Sequence, residues 1–227
     1  FERSVMQTKD LTTNPIMLDW AQHYHSLGAN IIPLRDRGKT PSLEWKSGPV
    51  DFSTIRQSSN DLIALRTKHG LPVWESATGL AIVNGIGGWY SIDFDYNKVT
   101  DTTVPVSLVY DFVTALGYDP QTYPWLIRSG SGKGFHVWFQ RHETEGKVTR
   151  NGPSVRIFLP TDASSCTWSK IELRCHDCYT VAPPSNAEFG RQYQFACNLF
   201  PTGAPAVLDP QRVIEVLNEI GDQQEHR

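Results

Sequence analysis

The sequence predicts an α+β fold, a mostly antiparallel sheet with flanking helices, and three observations predict it. Apolar and polar residues alternate with a period of two in three separate stretches, around 89–95, 135–140 and 170–174. Helical stripes are few and fall irregularly among the strands; the clearest is Val109, Phe112, Val113 and Leu116, spaced i, i+3, i+4, i+7. Short glycine-rich turns link several strands, as hairpins do. A chain of 227 residues with 39% hydrophobic and 11% aromatic side chains can bury a substantial core, as one domain or as one domain with an appendage.

Composition narrows the class further. No apolar run approaches the roughly 20 residues of a membrane span, and the start carries no signal-peptide pattern. A net charge of −3 argues against a chain coated in basic side chains. It leaves room for a nucleic-acid enzyme, because an acidic metal site offsets basic residues elsewhere. Four cysteines do not make a disulfide scaffold at this length, so a cytoplasmic protein is expected. Phe1 in place of methionine fits a piece of a longer chain.

Taken in order, residues 1–13 are polar and expected to fray. Asn14-Pro15 is a cap followed by a first-turn proline, and Met17, Leu18, Ala21 and Tyr24 continue a helix up to Gly28. Asn30 to Leu34 reads as a short strand, and Arg35 to Trp45 as a solvated connector with three basic residues. A helix is expected around Ile63 to Lys68. Gly79 to Asn84 and the stretch from Trp89 read as a hairpin about Gly85-Ile86-Gly87-Gly88. The dinucleotide fingerprint fails there, because Tyr90 stands at the third glycine and a strand follows. The 109–116 helix is preceded by Pro105 and stopped by Gly117. Trp125 to Gln140 reads as strand, glycine turn, strand; Ile127 and Gly134 break the Walker pattern. Residues 141–168 read as irregular, with Arg141, Lys147, Arg150 and Arg156 among turn residues. Strands follow at 170–174, 179–182 and 192–196, and Asp209-Pro210 caps a last helix bearing Val213, Ile214, Leu217 and Ile220.

The chemistry gathers on one strand face. In Ile92-Asp93-Phe94-Asp95 the alternation puts both carboxylates on the side opposite the apolar pair. Like charges that close are tolerated when a cation or a shared proton lies between them. His136 and the pair Glu172/Arg174 occupy the same outward positions of two later strands. Asp93, Asp95 and Glu172 can therefore hold two divalent ions by oxygen, as magnesium or manganese prefer. Such ions would serve phosphoryl transfer. Arg128, Ser129, Ser131 and Lys133 flank His136, and with Arg174 they are candidate phosphate donors.

Four ordered blocks then carry a resemblance. Lys39-Thr-Pro…Trp45, Gly79…Gly85 running to Ile92-Asp-Phe-Asp95, Arg128-Ser-Gly-Ser-Gly…His136, and Ile171-Glu-Leu-Arg174…Val181-Ala-Pro-Pro-Ser185 with Gly190…Tyr193 resemble the bifunctional primase-polymerase (prim-pol) domain of the archaeo-eukaryotic primase superfamily. The resemblance covers roughly residues 18–200. It implies an RRM-like catalytic palm over 14–205, followed by a C-terminal helix at 206–227 that leads to a further domain. It also implies metal binding by Asp93, Asp95 and Glu172, and contact of His136 with the triphosphate of a dNTP or NTP. Single-stranded template and primer would be the partners, with a helicase nearby, in the replication of a mobile element. The family's Ser-x-His motif departs here, because Gly134 stands where its serine would; Ser131 is the nearest substitute.

Cys175-His176-Asp177-Cys178 supplies half of a zinc set, completed by Cys166 or His142, but no second Cys-x-x-Cys exists and the residues read as a tight hairpin turn. Two other classes stay open. A metal-dependent nuclease needs the same carboxylates without the phosphate-binding cluster. An RRM-like binding module would show exposed aromatics at the strand centres in place of Asp93 and Asp95.

Overall fold

The computed structural model describes residues 17–46, 51–67, 69–70, 72–142, 154–160, 166–187 and 190–225. The Asn14-Pro15 cap and the basic residues Lys147 and Arg150 lie outside these, as do the side chains of Arg156 and Cys166. In chain order the elements are α1 (Met17–Ser26), β1 (Ile31–Arg35), β2 (Thr40–Pro41), α2 (Ser59–Ala64), β3 (Gly79–Val83), a single 3₁₀ turn (Ile86–Gly88), β4 (Trp89–Phe94), α3 (Val106–Ala115), β5 (Leu126–Arg128), β6 (Phe135–Gln140), β7 (Ser154–Pro160), β8 (Cys166–Arg174), β9 (Tyr179–Ala182), β10 (Gln194–Phe195) and α4 (Pro210–Glu225). They form a four-stranded sheet, β2-β1-β3-β9, and a six-stranded sheet, β10-β5-β6-β4-β8-β7. Every pairing between these strands is antiparallel, so the α+β expectation holds.

Two expected hairpins are corrected. β3 pairs with β1 and β9, whereas β4 pairs with β6 and β8, so the glycine turn carries the chain from one sheet into the other. Packing explains the glycines: a Cβ at Gly87 would lie 2.3 Å from the Gly28 carbonyl oxygen, and one at Gly88 2.3 Å from that of Arg141. Both also have positive φ, at 63° and 76°. The Cys175–Cys178 turn likewise runs between sheets, because β8 pairs with β4 and β7 and β9 pairs with β3.

Three further expectations move. The Arg35–Trp45 connector is a β1–β2 hairpin, its turn reversed by Asp36 and Arg37 at φ 61° and 50°. Helix α2 begins earlier than expected and stops at Ala64, because Ser58 and Asp61 form a reciprocal capping box and Leu65 is extended. The stretch at 141–168 contains β7 and the start of β8, paired over their full lengths.

The two faces of the six-stranded sheet differ in cover. Phe94 and Phe139 meet Phe112 of α3 with ring centroids 5.3 and 6.4 Å apart. Each such fully buried ring contributes on the order of 1.5–3 kcal/mol. The opposite face, carrying Ser91, Asp93, His136 and Trp138, is partly roofed by the four-stranded sheet. Thr180 of β9 shares a 2.9 Å hydrogen bond with Ser91 and accepts one from Asn84 Nδ2 at 3.0 Å. The carboxylate face is therefore a cleft between two sheets rather than an open surface. Residues 206–208 join the β6 end through Gln140, and α4 packs on β7 and α3. Among the described residues no helix is long and apolar enough to cross a membrane.

Candidate active site

Register alone assembles the centre of the site. Asp93 lies opposite His136 on one neighbouring strand and opposite Glu172 on the other, so three functional side chains stand in a row across β6, β4 and β8. Asp93 is only 6% exposed. Its Oδ2 pairs with Arg174 Nη1 at 3.1 Å, and its Oδ1 lies 3.5 Å from His136 Nε2. Burial is the largest single influence on the Arg174 guanidinium and pushes it down, but Asp93, Cys178 and Glu172 together push it up and outweigh burial.

His136 is buried, and desolvation by burial holds its pKa below the usual histidine value despite the Asp93 carboxylate. Its Nδ1 lies 3.2 Å from the Val181 carbonyl oxygen, which can only accept. That contact assigns the ring proton to Nδ1 and turns the Nε2 lone pair of the neutral ring toward Asp93. Tyr193 lies against the ring, centroids 5.6 Å apart.

Asp95 sits past the last residue of β4, and among the described residues no basic side chain pairs with it. Burial and then the neighbouring Asp93 raise its pKa, with Lys98, Lys39 and Lys170 opposing from further away. A carboxyl whose charge is disfavoured beside a second carboxylate is the electrostatic pattern of a cation-binding pair. Glu172 Oε2 lies 3.2 Å from Lys170 Nζ and 3.9 Å from Arg174 Nη1, the nitrogen that also pairs with Asp93. Among the described residues no three His, Cys, Asp or Glu side chains converge on a metal position. The expected three-carboxylate set is thus aligned by register but not assembled: Arg174 holds Asp93 and Lys170 holds Glu172.

Beside this row opens a pocket of about 550 Å³. Ser129, Ser131, Lys133 and His136 line it, as the sequence led us to expect. Arg128 does not. It pairs in register with Phe135, on the face opposite His136, and its guanidinium lies 5.5 Å from the Phe135 ring. The Gly134 departure also gains a reason. A Cβ there would meet the Phe94 carbonyl oxygen at 2.6 Å, so a serine does not fit. The hydroxyls come instead from Ser129, which accepts from Gly134 N at 3.1 Å, and from Ser131, 2.9 Å from Ser129 Oγ.

Sequence reasoning missed much of the rim. Arg37 and Lys39 reach the pocket from the β1–β2 turn, and Arg191 from the segment before β10. Arg191 donates to the Ser131 carbonyl, and Lys133 is ion-paired with Asp101. The available signals were the basic run Arg35-Asp-Arg-Gly-Lys39 and the place of Arg191 within the Gly190…Tyr193 block. At the half-zinc motif, Cys175 is buried in the core and Cys178 Sγ accepts from Asn84 Nδ2 at 3.4 Å.

The site as a whole is a polar, charged cleft, with carboxylates on adjacent antiparallel strands beside a glycine turn that carries serines and a lysine. Over residues 21–209 the chain matches the family model described as Prim-Pol, bifunctional DNA primase/polymerase, N-terminal. That match spans most of the chain, and the chain belongs to this family. The comparison with curated proteins returned no match.

Proposed function

We propose that the chain is the nucleotidyl-transfer domain of a DNA primase/polymerase, adding dNTPs or NTPs to a primer or starting chains on single-stranded template. The observation that carries this reading is the row His136–Asp93–Glu172 across three strands, whose His136 and Asp93 line a pocket rimmed by Arg37, Lys39, Lys133 and Arg191. On this reading the six-stranded sheet is the RRM-like palm. The donor set is all hard oxygen, which fits magnesium or manganese at Asp93 and Asp95, with Glu172 joining once its side chain leaves Lys170. When bound, such ions supply charge stabilisation and activation of the attacking oxygen.

The chain's own groups do the rest. The Ser129 and Ser131 hydroxyls orient the β and γ phosphates, and Lys133, Lys39 and Arg191 balance their charge. An arriving polyphosphate also favours the imidazolium form of His136, turning Nε2 from acceptor into donor. Replication of a mobile element, beside a helicase, is the setting we infer from the family resemblance. The test is incorporation of labelled dNTPs or NTPs on single-stranded template with magnesium or manganese. Degradation of the template without incorporation would replace this reading with a nuclease.

A further inference from the structure

A second, smaller cavity of about 260 Å³ lies against the same centre, and the function proposed above leaves it unused. It shares Lys39, Asp93 and His136 with the larger pocket, and its other walls include Trp45, Arg174, Asp177 and Tyr179. The two cavities flank Asp93 along β4. Asp95 and Tyr96, beyond Asp93, line the larger one, whereas Arg174 of the smaller one pairs in register with Ser91, two residues before Asp93.

The smaller cavity has the composition of a single-strand binding shelf, aromatic rings among cations. Trp45 is half-buried and meets Tyr179 edge-on, centroids 5.4 Å apart and planes at 85°. That contact leaves an indole face, covered at 4.9 Å by the Lys46 ammonium. Lys46 donates to the Asp177 carbonyl at 2.5 Å and pairs with its carboxylate at 3.8 Å, so an arriving base has to displace it into the solvent to which its side chain is already 43% exposed. Tyr179 is anchored by its hydroxyl, which donates to the Lys39 carbonyl at 2.7 Å. Lys39, Lys46 and Arg174 therefore surround a stacking surface, and the only acids at it are Asp93 and Asp177, both already paired among the described residues.

We propose that this shelf holds the 3′-terminal nucleotide of the strand being extended, its base stacked on Trp45 and its 3′-hydroxyl directed at the Asp93 centre. The inference rests on the nucleotidyl-transfer reading and names a substrate position within it. In that transfer the 3′-oxygen bonds to the α-phosphorus of the incoming nucleotide. The bond from that phosphorus to the bridging oxygen breaks, pyrophosphate leaves with the electron pair, and the hydroxyl proton passes to solvent. Attacking and leaving oxygens lie roughly in line. With the pyrophosphate over the glycine turn, on the Asp95 side of Asp93, the attacking oxygen must approach from the opposite side. The Trp45 shelf is there, and its volume suits one nucleoside rather than a duplex. The tryptophan of the Lys39-Thr-Pro…Trp45 block thereby gains a role.

The test uses the whole chain with a primer–template carrying 5-iodo-2′-deoxyuridine at the primer 3′ end or, separately, at the templating base. After irradiation, the adduct from the primer probe is expected on Trp45 or Tyr179. An adduct on these residues only from the template probe, or from neither probe, overturns the proposal. Beside it, Trp45→Ala should weaken primer–template binding roughly five- to hundred-fold while Trp45→Phe retains most of it. Affinity for free nucleotide should stay within about two-fold. A folded Trp45→Ala with unchanged primer–template affinity, or with equal loss of nucleotide affinity, also overturns it. If the alanine variant does not fold, the wild-type adduct decides. Wild-type chain that incorporates nucleotides yet gives no adduct here sinks the shelf alone. Chain that neither incorporates nucleotides nor binds primer–template sinks the reading beneath it as well.

Discussion

Asp93 and Asp95 stand two residues apart on one side of one strand, yet they occupy different regions of the protein. Asp93 is in the interior of the sheet, flanked by two strands, roofed by β9, beside His136 and held by Arg174. Asp95 is past the strand end at the mouth of the larger pocket, where burial and Asp93 make its charge unwelcome. Periodicity tells which side a side chain takes; depth and partners come from what the rest of the chain lays on that side. One carboxylate is thus built into the fold, and the other stands at the pocket mouth with its charge disfavoured.

The largest effect should not distinguish them. On the proposed function Asp93→Asn and Asp95→Asn each remove a charge from the same carboxylate pair, so both are expected to reduce nucleotide incorporation to background. Residual incorporation within a few-fold of wild type in either variant would remove that residue from the reaction.

Stability should separate them. Asp93→Ala leaves the Arg174 guanidinium beside the buried His136 without its carboxylate. Breaking a buried pair costs about 3–5 kcal/mol, and with Arg174 29% exposed the expectation here is about 2–3 kcal/mol. From the sequence alone, relief of repulsion would make both alanine variants neutral or stabilising; the ion pair reverses this for Asp93. Asp95→Asn should keep that gain. A raised carboxyl pKa means that the folded state holds its proton more tightly, so Asp95 lowers stability as pH rises through that window, and asparagine removes the loss. Urea midpoints at neutral pH without divalent ions check both, and equal shifts of the same sign would erase the contrast.

His136 gives a pH readout of the interior region. Its pKa is lowered by burial, so the unfolded chain binds a proton that the folded chain resists. Stability should therefore fall as pH drops below about 6.5, down to the folded-state value. His136→Gln should flatten that part of the profile relative to wild type, with His23, also lowered by burial, contributing to both. Identical profiles between pH 7.5 and 5.5 would mean that His136 is not held neutral.

The same division explains what could be read in advance. The face of Asp93, His136, Glu172 and Arg174 was legible because each lies in a strand with clean alternation, and the antiparallel register follows from burying Ile92, Phe94, Val137 and Leu173 together. β7 was legible in principle, since Ser154-Val-Arg-Ile-Phe-Leu alternates over much of its length, but the turn residues around it mask the pattern. The sheet-to-sheet turns at Gly85–Gly88 and Cys175–Cys178 were not legible. A tight turn looks alike locally whether or not its flanking strands pair, and only long-range partners decide. Lys39 and Arg191 reach the pocket from loops, where no periodicity says which way a side chain points.

Arg128 and Lys133 carry the smallest prediction, and it tests that last point. Both are cations near the same glycine turn, and sequence reasoning treats them alike. The fold puts Arg128 on the Phe135 face and Lys133 at the pocket, over the Tyr96 ring at 5.9 Å and ion-paired with Asp101. Lys133 can exchange Asp101, which is 67% exposed, for a phosphate without stranding a buried charge. Lys133→Ala should therefore weaken nucleotide binding by about 1 kcal/mol, roughly five-fold, with stability nearly unchanged. The loss should shrink as salt rises, because exposed charges are screened. Arg128→Ala should leave nucleotide affinity within about two-fold of wild type. Nucleotide titrations at low and moderate salt measure both, and a larger loss from Arg128→Ala than from Lys133→Ala would reverse the assignment of the two faces.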